Sequence, residues 1–252
     1  MRRTPLINPI VLGTALLGAG CGVQAASPPK EEPAITVPSL VRLSPLVERE
    51  AHVSLPLLQR DSARREAETL TLRVRNVNCQ GIGTGSGFAV SRKVLITNRH
   101  VLTGADALEV NTWDGHTFEV SVALVGSLGD LGIAEVDGSL PRVAHFGSSA
   151  SAGDLVTAVG YPLGGPLTLS PGTVVDETDG RRFDIAGPVL RLTTPIEPGN
   201  SGGPVLDSGG RVVAVIFATE IATGLALAIP VDTLVRLAEA GGFQSVPPCG
   251  FQ

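Results

Sequence analysis

The sequence predicts an all-β protein: two packed antiparallel Greek-key β-barrels followed by a C-terminal helix. Three observations carry that expectation. The 252 residues include 31 glycines and 19 prolines and show few long helical periods, which favours many short strands joined by turns. About a dozen apolar or alternating runs of strand length follow one another, each ended by turn residues. A seam of small residues at 147–153 divides these runs into two series, as two barrels require.

The chain is long enough to bury a sizeable core, and its 43% hydrophobic content is that of a globular protein. The formal net charge of -5 is mild. It argues against a nucleic-acid partner, which calls for a basic face.

Residues 1–25 read as an export signal. Arg2 and Arg3 precede an apolar run at 6–17 that is too short to span a membrane. Two processing sites compete. Val23-Gln24-Ala25 offers the small residues after which a signal peptidase cuts, whereas Leu17-Gly18-Ala19-Gly20-Cys21 resembles a bacterial lipoprotein signal with Gly18 in place of the usual leucine. In the second case a lipid on Cys21 anchors the protein to a membrane. Either case places it outside the cytoplasm, lipid-anchored in the cell envelope or secreted. Cysteine usage agrees with export: once Cys21 is lipidated or removed, Cys79 and Cys249 remain, as a bridge or as two thiols.

Residues 26–68 read as a proline-rich, charged linker, and the stretch 57–67 within it is a candidate short helix, though it has no clear apolar stripe. The main domain is expected over 69–242, with barrel one at 69–148, barrel two at 153–230 and the helix at 232–240; residues 243–252 form a tail containing Cys249. Leu70, Leu72, Val74 and Val77 alternate with polar residues and begin the strands. Residues 81–90 read as a glycine-rich turn into a second strand, because they lack both G-x-G-x-x-G and the lysine of a P-loop. Residues 94–97 form a buried strand. Further strands are expected at 107–112, 117–125 and 131–136, then at 155–159, 167–175, 189–194, 204–206, 212–217 and 224–229, with turn residues such as Asp114-Gly115 between them. Asp232 is the expected helix cap, Val231, Leu234, Val235 and Ala238 fall at helical spacing, and Gly241-Gly242 stops the helix.

The stretch Glu197-Pro198-Gly199-Asn200-Ser201-Gly202-Gly203-Pro204 suits a bend that exposes one hydroxyl beside backbone amides, since glycine takes positive φ freely. Common turn chemistry also accounts for it. As a nucleophile Ser201 needs a base, and the base needs an orienting group. His52 lies in the linker, His116 in the 114–115 hairpin and His145 near the seam, whereas His100 comes directly off a buried strand. Asp130 opens the apolar run Leu131-Gly132-Ile133-Ala134, unlike the turn residues Asp106, Asp114 and Asp137. The stretch also satisfies G-x-S-x-G, the elbow of α/β-hydrolases, but that fold places its histidine after the serine and none follows Ser201.

The blocks Thr97-Asn98-Arg99-His100-Val101, Asp130-Leu131-Gly132-Ile133-Ala134 and Pro198-Gly199-Asn200-Ser201-Gly202-Gly203-Pro204 resemble, in order and spacing, the signature blocks of trypsin-like serine proteases of the HtrA type. The resemblance implies a serine endopeptidase acting on polypeptides through an acyl-enzyme, with His100 as base, Asp130 as its orienter and Ser201 as nucleophile. It further implies an oxyanion hole from the amides of Gly199 and Ser201, and an edge at Phe217, Ala218 and Thr219 that pairs with substrate. A P1 pocket near Pro195, Ile196 and Ala226 would prefer small or medium aliphatic residues, with Glu197 at its rim. Neither cofactor nor metal is implied. A narrower likeness, to actinobacterial membrane-associated serine proteases linked to acid resistance, implies a Cys79–Cys249 bridge. There are two departures: too few residues follow Gly241 for a PDZ domain, and the several membrane helices of the actinobacterial group have no counterpart. The rival class is a noncatalytic or latent barrel that binds peptides.

Overall fold

The computed structural model describes residues 61–246 and Cys249. The expectations for the export signal, Cys21, His52 and the linker before residue 61 lie outside the described residues. Barrel one consists of β1 (Thr71–Asn78), β2 (Gly81–Ala89), β3 (Val94–Thr97), β4 (Ala107–Asn111), β5 (Thr117–Gly126) and β6 (Gly132–Val136). Its antiparallel pairings close a ring in the order β1-β2-β3-β6-β5-β4. Barrel two consists of β7 (Leu155–Gly160), β8 (Thr168–Asp179), β9 (Pro188–Leu192), β10 (Pro204–Leu206), β11 (Val212–Thr219) and β12 (Ala226–Pro230). It closes as β7-β8-β9-β12-β11-β10, strand for strand the same Greek-key wiring. Closure matters physically, because a ring leaves no long strand edge exposed to other chains.

The period-two pattern read from the sequence holds in the middle of β1 and fails at its ends, where Leu70 closes a helix and Asn76 rather than Val77 is buried. Leu72 and Val74 of β1 point inward with Leu95, Leu102, Val110 and Val136, forming the core of barrel one. A separate cluster including Val156, Leu190, Leu192, Val205, Val213 and Ile216 fills barrel two. The two barrels thus have separate cores.

Four expectations need correction. The glycine-rich run at 81–90 is strand over 81–89 rather than a turn, because the glycines serve close packing: a Cβ on Gly85 would lie 2.6 Å from Val101 Cγ1. Residues 61–68, assigned to the linker, belong to helix α1 (Asp61–Leu70), which overlaps the candidate short helix at 57–67 and runs on to Leu70. Among its described side chains Ala67 and Leu70 are buried, a stripe too narrow to read in the sequence, and Arg142 reaches it through a 2.8 Å ion pair with Glu66.

The C-terminal helix α3 (Val231–Ala240) is preceded by Pro230 as N-cap rather than Asp232. Proline enters a helix at no cost because the first amides lack partners anyway, and Asp232 sits in the first turn, where its charge meets the positive helix end. Finally, the expected tail begins with strand β13 (Phe243–Ser245), which pairs with β5 at 124–126. β4 covers only 117–119 of β5, so the far half of β5 has an edge that β13 fills. Cys249 then bridges to Cys79 beyond the end of β1, with Cα atoms 5.9 Å apart. Among the described residues, no helix is long and apolar enough to cross a membrane.

The bridge joins residues 170 apart in sequence. In the chain-entropy view, closing so long a loop contributes up to about 5 kcal/mol. Replacing Cys249 by serine should therefore lower the urea midpoint while the far-ultraviolet spectrum stays that of the wild type; an unchanged midpoint would mean that β13 alone anchors the tail.

Candidate active site

The site begins with Thr97, the buried last residue of β3, whose Oγ1 donates to the Ser86 carbonyl at 2.7 Å. The chain then turns into the one-turn helix α2 (Arg99–Leu102). Val101 and Leu102 are drawn into the barrel-one core, which turns His100 outward with half of its side chain exposed. Asn98 Nδ2 donates to the Asp130 carbonyl at 2.9 Å, and Gly132 pairs with Thr97. A Cβ on Gly132 would lie 2.7 Å from the Asn98 carbonyl, so a glycine there lets the two loops approach.

That approach delivers a carboxylate to an imidazole. Asp130 Oδ1 accepts from the His100 backbone amide at 3.0 Å, and Oδ2 lies 2.6 Å from His100 Nδ1. An ionised carboxylate only accepts. Nδ1 therefore carries the proton, and Nε2 keeps a lone pair able to receive one.

Ser201 lies between β9 and β10 in a tight turn, where the Asn200 amide donates to the Glu197 carbonyl and the Gly203 amide to the Asn200 carbonyl. Gly199 and Gly202 have φ of +102° and +84°. A Cβ on Gly199 would collide with the Tyr161 carbonyl, and one on Gly202 with the Ser86 carbonyl and Thr97 Oγ1. Both positions thus require glycine for conformation and for space.

Fully buried Ser86 fastens this loop. Its amide donates to the Ser201 carbonyl at 2.7 Å, its hydroxyl donates to the Gly199 carbonyl at 2.7 Å, and the same hydroxyl accepts from the Tyr161 amide at 3.0 Å. With Thr97 on its own carbonyl, one serine of barrel one joins the strand beneath His100 to the loop that presents Ser201. The sequence reading overlooked it; a serine between two glycines inside a strand was the available signal. Burial pushes the nearby Tyr161 phenol up to about 12, so it remains a neutral donor.

The carbonyls of the turn also orient its amides. The Pro198 carbonyl accepts from the Leu163 amide at 2.6 Å and the Asn200 carbonyl from the Gly203 amide at 2.9 Å. No peptide bond here is cis, so the amides of Gly199 and Ser201, in those same two peptide units, point the opposite way. Among the described residues neither amide donates a hydrogen bond, and none joins Ser201 Oγ to His100. Two anchored amides aimed outward beside a hydroxyl can receive a developing oxyanion.

The residues expected to contact substrate surround this turn. β11 pairs with β12 as far as Thr219, with a register shift around Phe217. On its other side β10 reaches only to Val215, so 217–219 present an edge without a strand partner among the described residues. Phe217 is buried edge-on against Phe183, with ring centroids 6.4 Å apart. Ala226 is fully buried in the barrel-two core, and Ile196 packs against that core. Pro195 and Glu197 are exposed.

Buried Glu220, just past this edge, was not foreseen, because a lone acid in a loop carries no pattern. Its carboxylate accepts from Thr223 Oγ1 at 2.6 Å and from Arg191 at 3.4 Å. Arg191 also grips Asp176 across the strands, Nε to Oδ1 at 2.7 Å. The Thr223 hydrogen bond and then Arg191 hold the Glu220 carboxyl below its ordinary value; the Arg191 hydrogen bond does the same for Asp176.

Comparison with known proteins gives the family. The trypsin-like peptidase domain family matches residues 85–215. The serine protease Do-like HtrA of Bacillus subtilis is 35% identical over 176 residues, covering 62% of this chain and 39% of that protein. Serine protease Rv3671c of Mycobacterium tuberculosis is 31% identical over 195 residues, covering 73% of this chain and 49% of that protein. The chain thus spans less than half the length of either relative. The crystal structure of the Rv3671c protease in its active form matches 81% of this chain and 97% of that one with a TM-score of 0.66 at 24% identity, a likeness of fold.

The Arg191 cluster has a pH signature. Both carboxyls titrate below their ordinary values in the folded protein, so their contribution is complete above the ordinary carboxylate range and is lost as pH falls through the lowered folded values. Arg191→Met should therefore cost stability at pH 7 and much less at pH 3. Equal losses in urea midpoint at both pH values would mean that Arg191 acts through packing alone.

Proposed function

Because the chain belongs to the trypsin-like peptidase domain family, we propose that it is an exported serine endopeptidase working through His100, Asp130 and Ser201. The observation that carries this reading is the double grip of Asp130 on the main chain and ring of His100, just past the strand that Ser86 fastens to the Ser201 loop.

His100 Nε2 takes the Ser201 hydroxyl proton as Oγ attacks the peptide carbonyl carbon. The carbonyl electron pair moves onto oxygen, and the amides of Gly199 and Ser201 receive the oxyanion; one such donor is worth about a hundred- to a thousandfold in rate. Collapse breaks the C–N bond as His100 returns the proton to the leaving amine. Water, deprotonated by the same nitrogen, then cleaves the acyl-enzyme. Asp130 stays ionised throughout, holding the tautomer and stabilising the imidazolium.

On the amino side of the scissile bond the substrate adds as a strand to 217–219. Its P1 side chain meets Ile196, which packs on the core that holds Ala226, and this apolar wall supports small or medium aliphatic residues, with Glu197 at the exposed rim. Export rests on the signal read in residues 1–25, and a lipid on Cys21 is the means of attachment to the cell envelope. A latent resting form is the second reading, favoured by the missing hydrogen bond between Ser201 Oγ and His100 among the described residues.

A fluorophosphonate should label Ser201, and Ser201→Ala should abolish labelling and lower kcat/KM by at least about ten-thousandfold with the urea midpoint unchanged. Asp130→Asn should cost about as much by leaving the wrong tautomer. Labelling that survives in Ser201→Ala would transfer the nucleophile to another residue. A peptide-library cleavage profile reads the P1 preference directly.

A further inference from the structure

Leu163 is strained and bare at once. Its φ of 55° lies in the left-handed region, where a leucine is unfavourable and glycine or asparagine is at ease. Its side chain is 76% exposed, so no packing offsets either the strain or the exposed apolar surface. Backbone strain of this kind persists where surrounding structure enforces it, and it clusters at functional sites.

The enforcing contacts come from both barrels. The Leu163 amide donates to the Pro198 carbonyl at 2.6 Å, beside Gly199 in the nucleophile turn. The neighbouring Gly164 carbonyl accepts from Arg73 of β1 at 3.1 Å, and a Cβ on Gly164 would lie 3.1 Å from Thr84 Oγ1 of β2. Leu163 is thereby held between the Ser201 turn and the start of β2.

The direction of the substrate says what passes there. Its amino side lies along β11 at 217–219, so the leaving-group side departs from Ser201 the other way, toward β2. β2 pairs with β3 only at Phe88 and Ala89, which leaves its earlier residues open on that edge. Ser86 sends its amide across this edge to the Ser201 carbonyl. Thr84, two residues earlier, presents its amide and carbonyl to the same edge by the strand's period of two. An extended leaving-group segment can add there as a short strand, next to Leu163.

We propose that Leu163 is a specificity-determining contact for the leaving-group side, taking an apolar side chain at the first or second residue after the scissile bond. This rests on the endopeptidase reading. Covering an exposed leucine with another apolar side chain removes enough surface from water to favour such substrates by about tenfold in kcat/KM.

The test uses the full-length protein and pairs of internally quenched peptides that share one sequence before the scissile bond and carry leucine or aspartate at the first or second position after it. Wild type should prefer the leucine peptide by about tenfold at one of the two positions. Leu163→Asn, which suits the left-handed backbone and keeps the amide, should reduce that ratio to near one, and Leu163→Met should retain it. Each ratio is internal to one variant, so a general change in activity cancels. Cleavage without a leucine preference in wild type, or a ratio unchanged in Leu163→Asn, would overturn the proposal. Failure of wild type to cleave any of the peptides would instead count against the endopeptidase reading.

Discussion

The structure depends most on Ser86. Each of its polar atoms is committed: the amide to the Ser201 carbonyl, the hydroxyl to the Gly199 carbonyl and from the Tyr161 amide, and the carbonyl from Thr97. The residue is fully buried, and a buried polar group left unpaired costs far more than a pair contributes. The two barrels have separate cores, so hydrophobic burial within each says little about their mutual register. A directional, fully satisfied buried network does specify it, and it does so where the His100 strand and the Ser201 loop meet.

Around that point glycine does a different job from the one it does in ordinary turns. Gly132, Gly199 and Gly202 let backbones touch where any side chain would collide with a carbonyl or a threonine hydroxyl. Glycine loses more freedom on folding than any other residue, and the hydrogen bonds that the close approach allows offset that loss. The outward aim of the Gly199 and Ser201 amides is a by-product of the same network, because a trans peptide with its carbonyl tied inward turns its amide outward.

Repetition of one wiring in both barrels separates stability from chemistry. Every strand pairs on both sides within its ring, and the special residues sit on connections: His100 after β3, Asp130 before β6, Ser201 between β9 and β10. Loops on rigid scaffolds are where such groups are usually found. The Arg191 cluster supports the far side of the site in another way, tying β8, β9 and the loop after β11 by charge-assisted hydrogen bonds.

The all-β class, the division into two series and nearly every strand were legible in the sequence, because period-two alternation and turn residues are local signals that a half-buried strand must carry. The meeting of His100 with Asp130 was legible too, since each sits in a block whose neighbours are constrained by close packing. The helix at 61–70 was legible only as a candidate without an apolar stripe and β13 not at all, because each is held by a surface supplied from elsewhere in the chain rather than by a pattern of its own. Glu220 and the strain at Leu163 were invisible for the same reason. By itself the sequence determined which residue types stood ready and in what order; only the tertiary structure decided which atoms face one another, because hydrogen bonds between barrels depend on distances that no local period encodes.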